Sequence, residues 1–167
     1  LSAAYGAEAK GGMAQFHYVS IEKTAVDPEA LRGEYIAVLM YHHFADRDMG
    51  SGNGMVTSVK ELEDHLRYFK SQGYQIITLE KLDSLLRRVE YDYTLHGSGL
   101  GLKEKYLCIT MDDGYYSNYE LAYPLFKKYR TPASVFAITD FITEQTGLKK
   151  FTWKQAQEMD KAGWLRV

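Results

Sequence analysis

From residue 35 onward, short apolar runs alternate with stretches of helical periodicity, and this alternation narrows the fold more than any other feature. Residues 35–40, 74–78, 106–111 and 133–138 are near-continuous apolar runs of strand length. Strands buried on both faces read this way. The intervening stretches carry helix signals. Ser58 and Glu61 form a capping box, Leu62, Leu66 and Phe69 recur at helical spacing, and Gly73 stops the helix. Residues 79–89 predict a second helix with Leu82, Leu85, Leu86 and Val89 on its apolar face. Pro124 is expected to open a third, because proline is tolerated in the first helical turn and not in the interior. Thr152 and Gln155 cap a fourth, Gly163 closes it, and residues 164–167 begin a fifth strand. Residues 91–102 contain three glycines and read as a loop.

Strands joined through helices imply right-handed crossovers and a parallel sheet. An open doubly wound sheet would usually carry a G-x-G-x-x-G phosphate loop after its first strand. Residues 45–54 hold glycines, but not at that spacing. The expected class is therefore α/β, with an incomplete (β/α) barrel. A closed barrel takes about 250 residues, whereas this chain has 167. It reads as the N-terminal part of a longer catalytic domain, with an open strand edge that invites self-association. Residues 1–12 are rich in Ala and Gly without periodicity. Residues 1–20 are accordingly read as a flexible segment and 21–167 as the domain part.

Composition removes other classes. With 46% apolar and 25% charged residues, the chain is neither disordered nor fibrous. A net charge of −2 offers no footprint for nucleic acid. No run approaches the roughly 18 apolar residues of a membrane span. The single cysteine, Cys108, excludes a disulfide framework and a cysteine-rich zinc site, and reads as a small buried residue. The 14 tyrosines serve packing or, alternatively, stacking on sugar rings.

In such folds the chemistry lies at the carboxyl ends of the strands. There the sequence offers His42 and His43, Asp112 and Asp113, and Thr139 and Asp140. Adjacent carboxylates after a buried strand repel each other as water is removed. A divalent cation on one of them would offset that repulsion and leave the other free as a base. The alternative is that Asp113 and Gly114 simply make a turn. Neighbouring histidines at a strand end point to opposite sides, so His42 and His43 seldom share one ion; one of them, His42, is expected to line a cleft. His17, His65 and His96 read as incidental.

Residues 109–115, which include Thr110, Asp112, Asp113, Gly114 and Tyr115, strongly resemble the T-F-D-D-G-Y signature of the polysaccharide deacetylases, the NodB-homology or carbohydrate esterase family 4 enzymes. Residues 122–136 resemble the segment that follows this motif. Residues 38–43 resemble the opening strand, and 152–167 the helix and strand start before the second motif. Met111 stands where the family often has Phe, and both are apolar.

The resemblance implies a metal-dependent hydrolase that removes N-acetyl groups from an N-acetylglucosamine-containing polysaccharide, such as peptidoglycan, a chitin-like polymer or an exopolysaccharide. Asp112 would be the general base and Asp113 a ligand to zinc, with cobalt or nickel as alternatives. Tyr115, with His42, would border the substrate cleft. Thr110 would hold the strand end by a hydrogen bond. The family's H-x-x-x-H ligand pair is expected beyond Val167, so a weak or empty metal site is expected in this chain taken alone. An O-acetyl xylan esterase and a non-catalytic carbohydrate-binding module remain alternatives. A small-residue run around Ala7 and Ala9, together with the substrate class, points to an extracytoplasmic location.

Overall fold

The computed structural model describes residues 3–10, 13–20, 35–48, 54–96, 104–142 and 147–167. Strand β7 (Lys105–Asp113) is its centre. Residues 107–111 of this strand are all buried, Leu107, Ile109 and Met111 completely, as expected for a strand covered on both faces. β3 (Tyr35–Tyr41) runs parallel along one flank of β7, pairing Ile36 with Tyr106 through Tyr41 with Met111. The other flank is shared. β6 (Tyr74–Ile77) takes its first half and β8 (Ala133–Ala137) its second, both parallel. β9 (Leu165–Arg166) extends the sheet from β8. A short parallel pair, β4 (His43–Ala45) and β5 (Val56–Ser58), lies apart from this sheet.

Helix α1 (Val59–Ser71) begins at the expected capping box. The Glu61 amide donates to Ser58 Oγ at 3.1 Å, and the Ser58 amide donates to Glu61 Oε2 at 2.9 Å. Leu62, Leu66 and Phe69 are its buried face. Helix α4 (Trp153–Lys161) repeats the device with Thr152 and Gln155. The main core joins α1, α4 and the inner faces of β3, β7 and β8 around Leu39, Phe44, Phe126, Phe151 and Met159. A second small cluster of Ile36, Ile77 and Leu85 lies under α2 (Leu79–His96). The side chain of Val89 lies outside the described residues.

Three expectations are corrected. Residues 1–20 are not wholly a flexible segment, because Ala3–Lys10 (β1) and Met13–Ser20 (β2) pair antiparallel and β1 pairs antiparallel with β3. β3 would otherwise present unpaired N–H and C=O groups on that side, and the hairpin satisfies them. Such a demand is set by tertiary neighbours and leaves no periodicity in small residues. Second, α2 continues to His96, beyond the expected end near residue 89. No Gly or Pro intervenes before Gly97, so nothing local stops it. Third, Pro124 does sit in the first turn of α3 (Tyr123–Tyr129), but a π-helical turn, Asn118–Ala122, leads directly into it. The wider turn accommodates the missing proline N–H and the bulk of the ring.

His65 on α1 is more than incidental. The Tyr41 hydroxyl lies 3.0 Å from His65 Nδ1, and Tyr41 is 2% exposed. Burial pushes the phenol far above its ordinary value and holds His65 below its ordinary 6.5. Because the folded pKa of His65 is depressed, the unfolded chain binds its proton more tightly, and acid favours unfolding below that ordinary value. His43, also held down by burial, acts in the same direction. Thermal unfolding midpoints should therefore fall between about pH 7.5 and pH 5.5. His65→Asn, which keeps an acceptor but cannot charge, should show a smaller fall. An unchanged slope in the variant would remove His65 from the account.

Candidate active site

β7 ends in Asp112 and Asp113, which pair with Phe136 and Ala137 on β8. β3 leaves the sheet opposite Met111, so the two acids have a strand neighbour on one side only. In a regular strand their side chains would face opposite ways. The strand is not regular there, because Asp113 has a φ of 70° and Gly114 a φ of 69°. Asp112 and Asp113 both line one open cavity of about 650 Å³. Thr110 lines it too, and its hydroxyl donates to the Leu39 carbonyl at 3.2 Å, as expected. Val38, Met40 and the exposed Phe136 and Ile138 supply the apolar wall. Backbone strain of this kind, worth about 1–3 kcal/mol per residue, persists where the surroundings over-determine it.

Gly114 cannot be replaced cheaply. A Cβ there would lie 3.0 Å from the Ala137 Cβ and 3.3 Å from Phe151 Cζ, at a φ that L side chains avoid. Gly114→Ala should destabilise the fold by about 2–4 kcal/mol, from left-handed strain plus overpacking. Urea unfolding measures this, and a loss below about 1 kcal/mol would contradict the packing argument.

The sequence-identified residues converge, with differences of detail. Burial raises the Asp112 carboxyl above its ordinary range, with His42 opposing and Asp113 reinforcing the shift. His42 Nε2 lies 3.9 Å from Asp112 Oδ2. Burial, and after it the neighbouring Asp113, raise the Tyr115 phenol above its ordinary value. Neither His42 nor Tyr115 is among the residues lining the cavity; His42 instead stands beside Asp112. His43 is bound elsewhere, its Nδ1 2.7 Å from Ser117 Oγ, so the two histidines do have different partners.

Three residues escaped sequence reading. Ser117 Oγ accepts the Phe44 amide at 3.0 Å, and Asn118 Nδ2 donates to the His42 carbonyl at 2.8 Å. Together they tie the segment after β7 to the segment after β3. Lys150 is the third. It is 8% exposed, and its Nζ lies 3.5 Å from the centroid of the Tyr115 ring. A serine, an asparagine and a lysine in loops or helix starts carry no local signal of such partners.

Among the described residues no three His, Cys, Asp or Glu side chains converge on a point that could hold a metal ion. Asp113 offers one carboxylate toward such a site. A tetrahedral catalytic zinc takes three protein ligands and a water.

The polysaccharide deacetylase family profile matches residues 100–166, the segment that contains the acid pair. YxkH of Bacillus subtilis (strain 168), a polysaccharide deacetylase by name, is 33% identical over 128 residues. By these matches the chain resembles the polysaccharide deacetylases. Among solved structures, IcaB from Ammonifex degensii matches this chain with a TM-score of 0.61 and 26% identity, over 79% of this chain and 51% of that one. A de-N-acetylase from Aggregatibacter actinomycetemcomitans shares the fold with a TM-score of 0.59 and 22% identity, over 79% of this chain and 53% of that one. The match to YxkH takes in 77% of this chain and 39% of that protein. The chain therefore spans well under two thirds of each relative. The fold is the incomplete (β/α) barrel of the NodB type, and the resemblance carried by residues 109–115 is borne out.

Proposed function

We propose that this chain forms the acid-pair half of a metal-dependent deacetylase that hydrolyses N-acetyl groups on an N-acetylglucosamine-containing polysaccharide. The observation that carries the reading is that Asp112 and the left-handed Asp113 line one cavity at the end of the central strand. The raised pKa of Asp112 suits a general base, whose ideal pKa approaches the working pH. As water adds to the acetamide carbonyl, Asp112 accepts its proton. His42, 3.9 Å away, faces the charge that Asp112 carries before this transfer. The open apolar wall of Phe136 and Ile138 gives the acetyl methyl a place to sit. Asp113 would hold the divalent cation, which when bound polarises the carbonyl and acidifies water. The described residues supply only part of a ligand set.

Acetate release from N-acetylated oligosaccharides by the complete domain tests the proposal. Release from O-acetylated xylan alone would replace it with an esterase, and release from neither would leave a binding module. An extracytoplasmic location belongs to the same reading, because the proposed polymers lie outside the cytoplasm.

The chain taken alone is also proposed to self-associate. β9 pairs only with β8 among the described residues, and Phe136 is 55% exposed beside the cavity. Unpaired edges and open apolar walls recruit further strands. Light scattering should give a mass above the 19.1 kDa of one chain; a stable monomer would refute the edge argument.

A further inference from the structure

His42 falls between two strands. The pairing of β3 with β7 ends at Tyr41 and Met111, and β4 begins at His43. The sheet ladder therefore does not fix the residue whose Nε2 lies 3.9 Å from Asp112 Oδ2. Other groups hold this segment. Tyr41 and Phe44 are buried in the core, with ring centroids 5.7 Å apart. The His43 amide donates to the Met55 carbonyl at 3.1 Å. The rest of the hold comes from the turn that follows the acids. Ser117 Oγ accepts the Phe44 amide at 3.0 Å and lies 2.7 Å from His43 Nδ1. Asn118 Nδ2 donates to the His42 carbonyl at 2.8 Å, across 76 residues of sequence.

Asn118 is fully buried, and its own amide donates to the Tyr115 carbonyl at 2.9 Å as it opens the π-helical turn. Turns of this kind are frequent at functional sites. A carbonyl only accepts, so the NH2 end of Asn118 must face His42. Its Oδ1 is then left buried with no hydrogen-bond partner among the described residues. Burying an amide oxygen in this way is costly, and a leucine of similar size would avoid the cost. What leucine lacks is the donor on the His42 carbonyl.

We propose that Asn118 is a positioning residue for His42, holding its carbonyl so that the imidazole stays beside the Asp112 carboxylate. The proposal rests on the reading of Asp112 as the general base. Asn118 is not among the residues lining the cavity, so it acts through His42. The 3.9 Å between His42 and Asp112 exceeds the roughly 3.2 Å of a hydrogen bond. No direct bond to Asp112 therefore restrains the ring, and its backbone anchor sets the separation.

The test is a double-mutant cycle in the complete domain, with Asn118→Leu, His42→Gln and the two combined. Misplacing a group at the reaction centre can cost up to about 100-fold, so Asn118→Leu should lower kcat about 10- to 100-fold with KM within about twofold. In the His42→Gln background, Asn118→Leu should cost less than about threefold, because its effect runs through the imidazole. A merely structural asparagine would cost the same in both backgrounds, and that outcome overturns the proposal. Asn118→Ala lacks the donor without adding bulk, and it takes the place of Asn118→Leu in the cycle if that variant does not fold. A second readout does not need turnover. In nitrogen-15 spectra of the histidine rings at fixed pH, Asn118→Leu or Asn118→Ala should move the His42 resonances. Glu120→Gln, an exposed control on the same turn, should not. Unmoved His42 resonances overturn the proposal. A wild-type domain that releases no acetate would refute the deacetylase reading, and the ring spectra would then decide the Asn118 contact by themselves.

Discussion

In the complete domain, Asp112→Asn is expected to lower acetate release by about 10²- to 10⁴-fold, the usual contribution of a general base. The amide keeps the shape of the carboxylate but cannot accept a proton from water. Its effect on stability should have the opposite sign. Burial raises the folded pKa of Asp112 above its ordinary 3.8, so the folded state binds its proton more tightly than the unfolded state. Stability is then lost as pH rises from 3.8 through the raised value, and the penalty is fully present at neutral pH. Removing the charge should raise the unfolding midpoint. A variant that is inactive and yet more stable identifies a group held for chemistry at the expense of the fold. A variant at wild-type rate would reject the assigned role.

Asp113→Ala should be at least as damaging, for a different reason. Asp113 is the carboxylate proposed to hold the cation, and loss of a direct ligand is expected to exceed the roughly 10- to 100-fold loss of affinity that follows removal of an outer partner. Zinc measured after dialysis should remain in Asp112→Asn and disappear from Asp113→Ala. The left-handed backbone complicates the alanine, because Asp adopts a φ of 70° more readily than Ala does. Asp113→Asn separates the effects. Asparagine tolerates this conformation but lacks the charge. Activity and metal should be lost in both variants, while stability falls mainly in the alanine variant. Zinc retained in both would place the cation elsewhere.

Much of the fold was legible because its signals are local. The boxes at Ser58 with Glu61 and Thr152 with Gln155 are closed by hydrogen bonds within three residues. The run that becomes β7 is apolar because helices and neighbouring strands cover it on all sides. The acid pair and its glycine were legible for the same reason, since a strand end followed by Asp-Asp-Gly states both a turn and a charge problem. Even Pro124 marked its helix to within one residue.

The remainder depended on partners distant in sequence. Nothing in residues 3–10 announces a strand, because what makes it one is the bare flank of β3. His65 read as an ordinary helix residue, and only packing placed it against Tyr41, 24 positions away in sequence. Ser117 and Asn118 bind the segment after β3 across separations of 73 to 76 residues. Lys150 carries no local signal of its place beside the Tyr115 ring, which its bridge with Tyr115 sets. By itself the sequence determined the four helices and the parallel strands of the main sheet, and where two carboxylates stand at the end of a buried strand. Only the tertiary structure decided that both acids line one cavity and which strands flank them. Propensity and capping are settled within a turn or two of chain. The orientation of a buried polar side chain is settled by whichever distant group satisfies it.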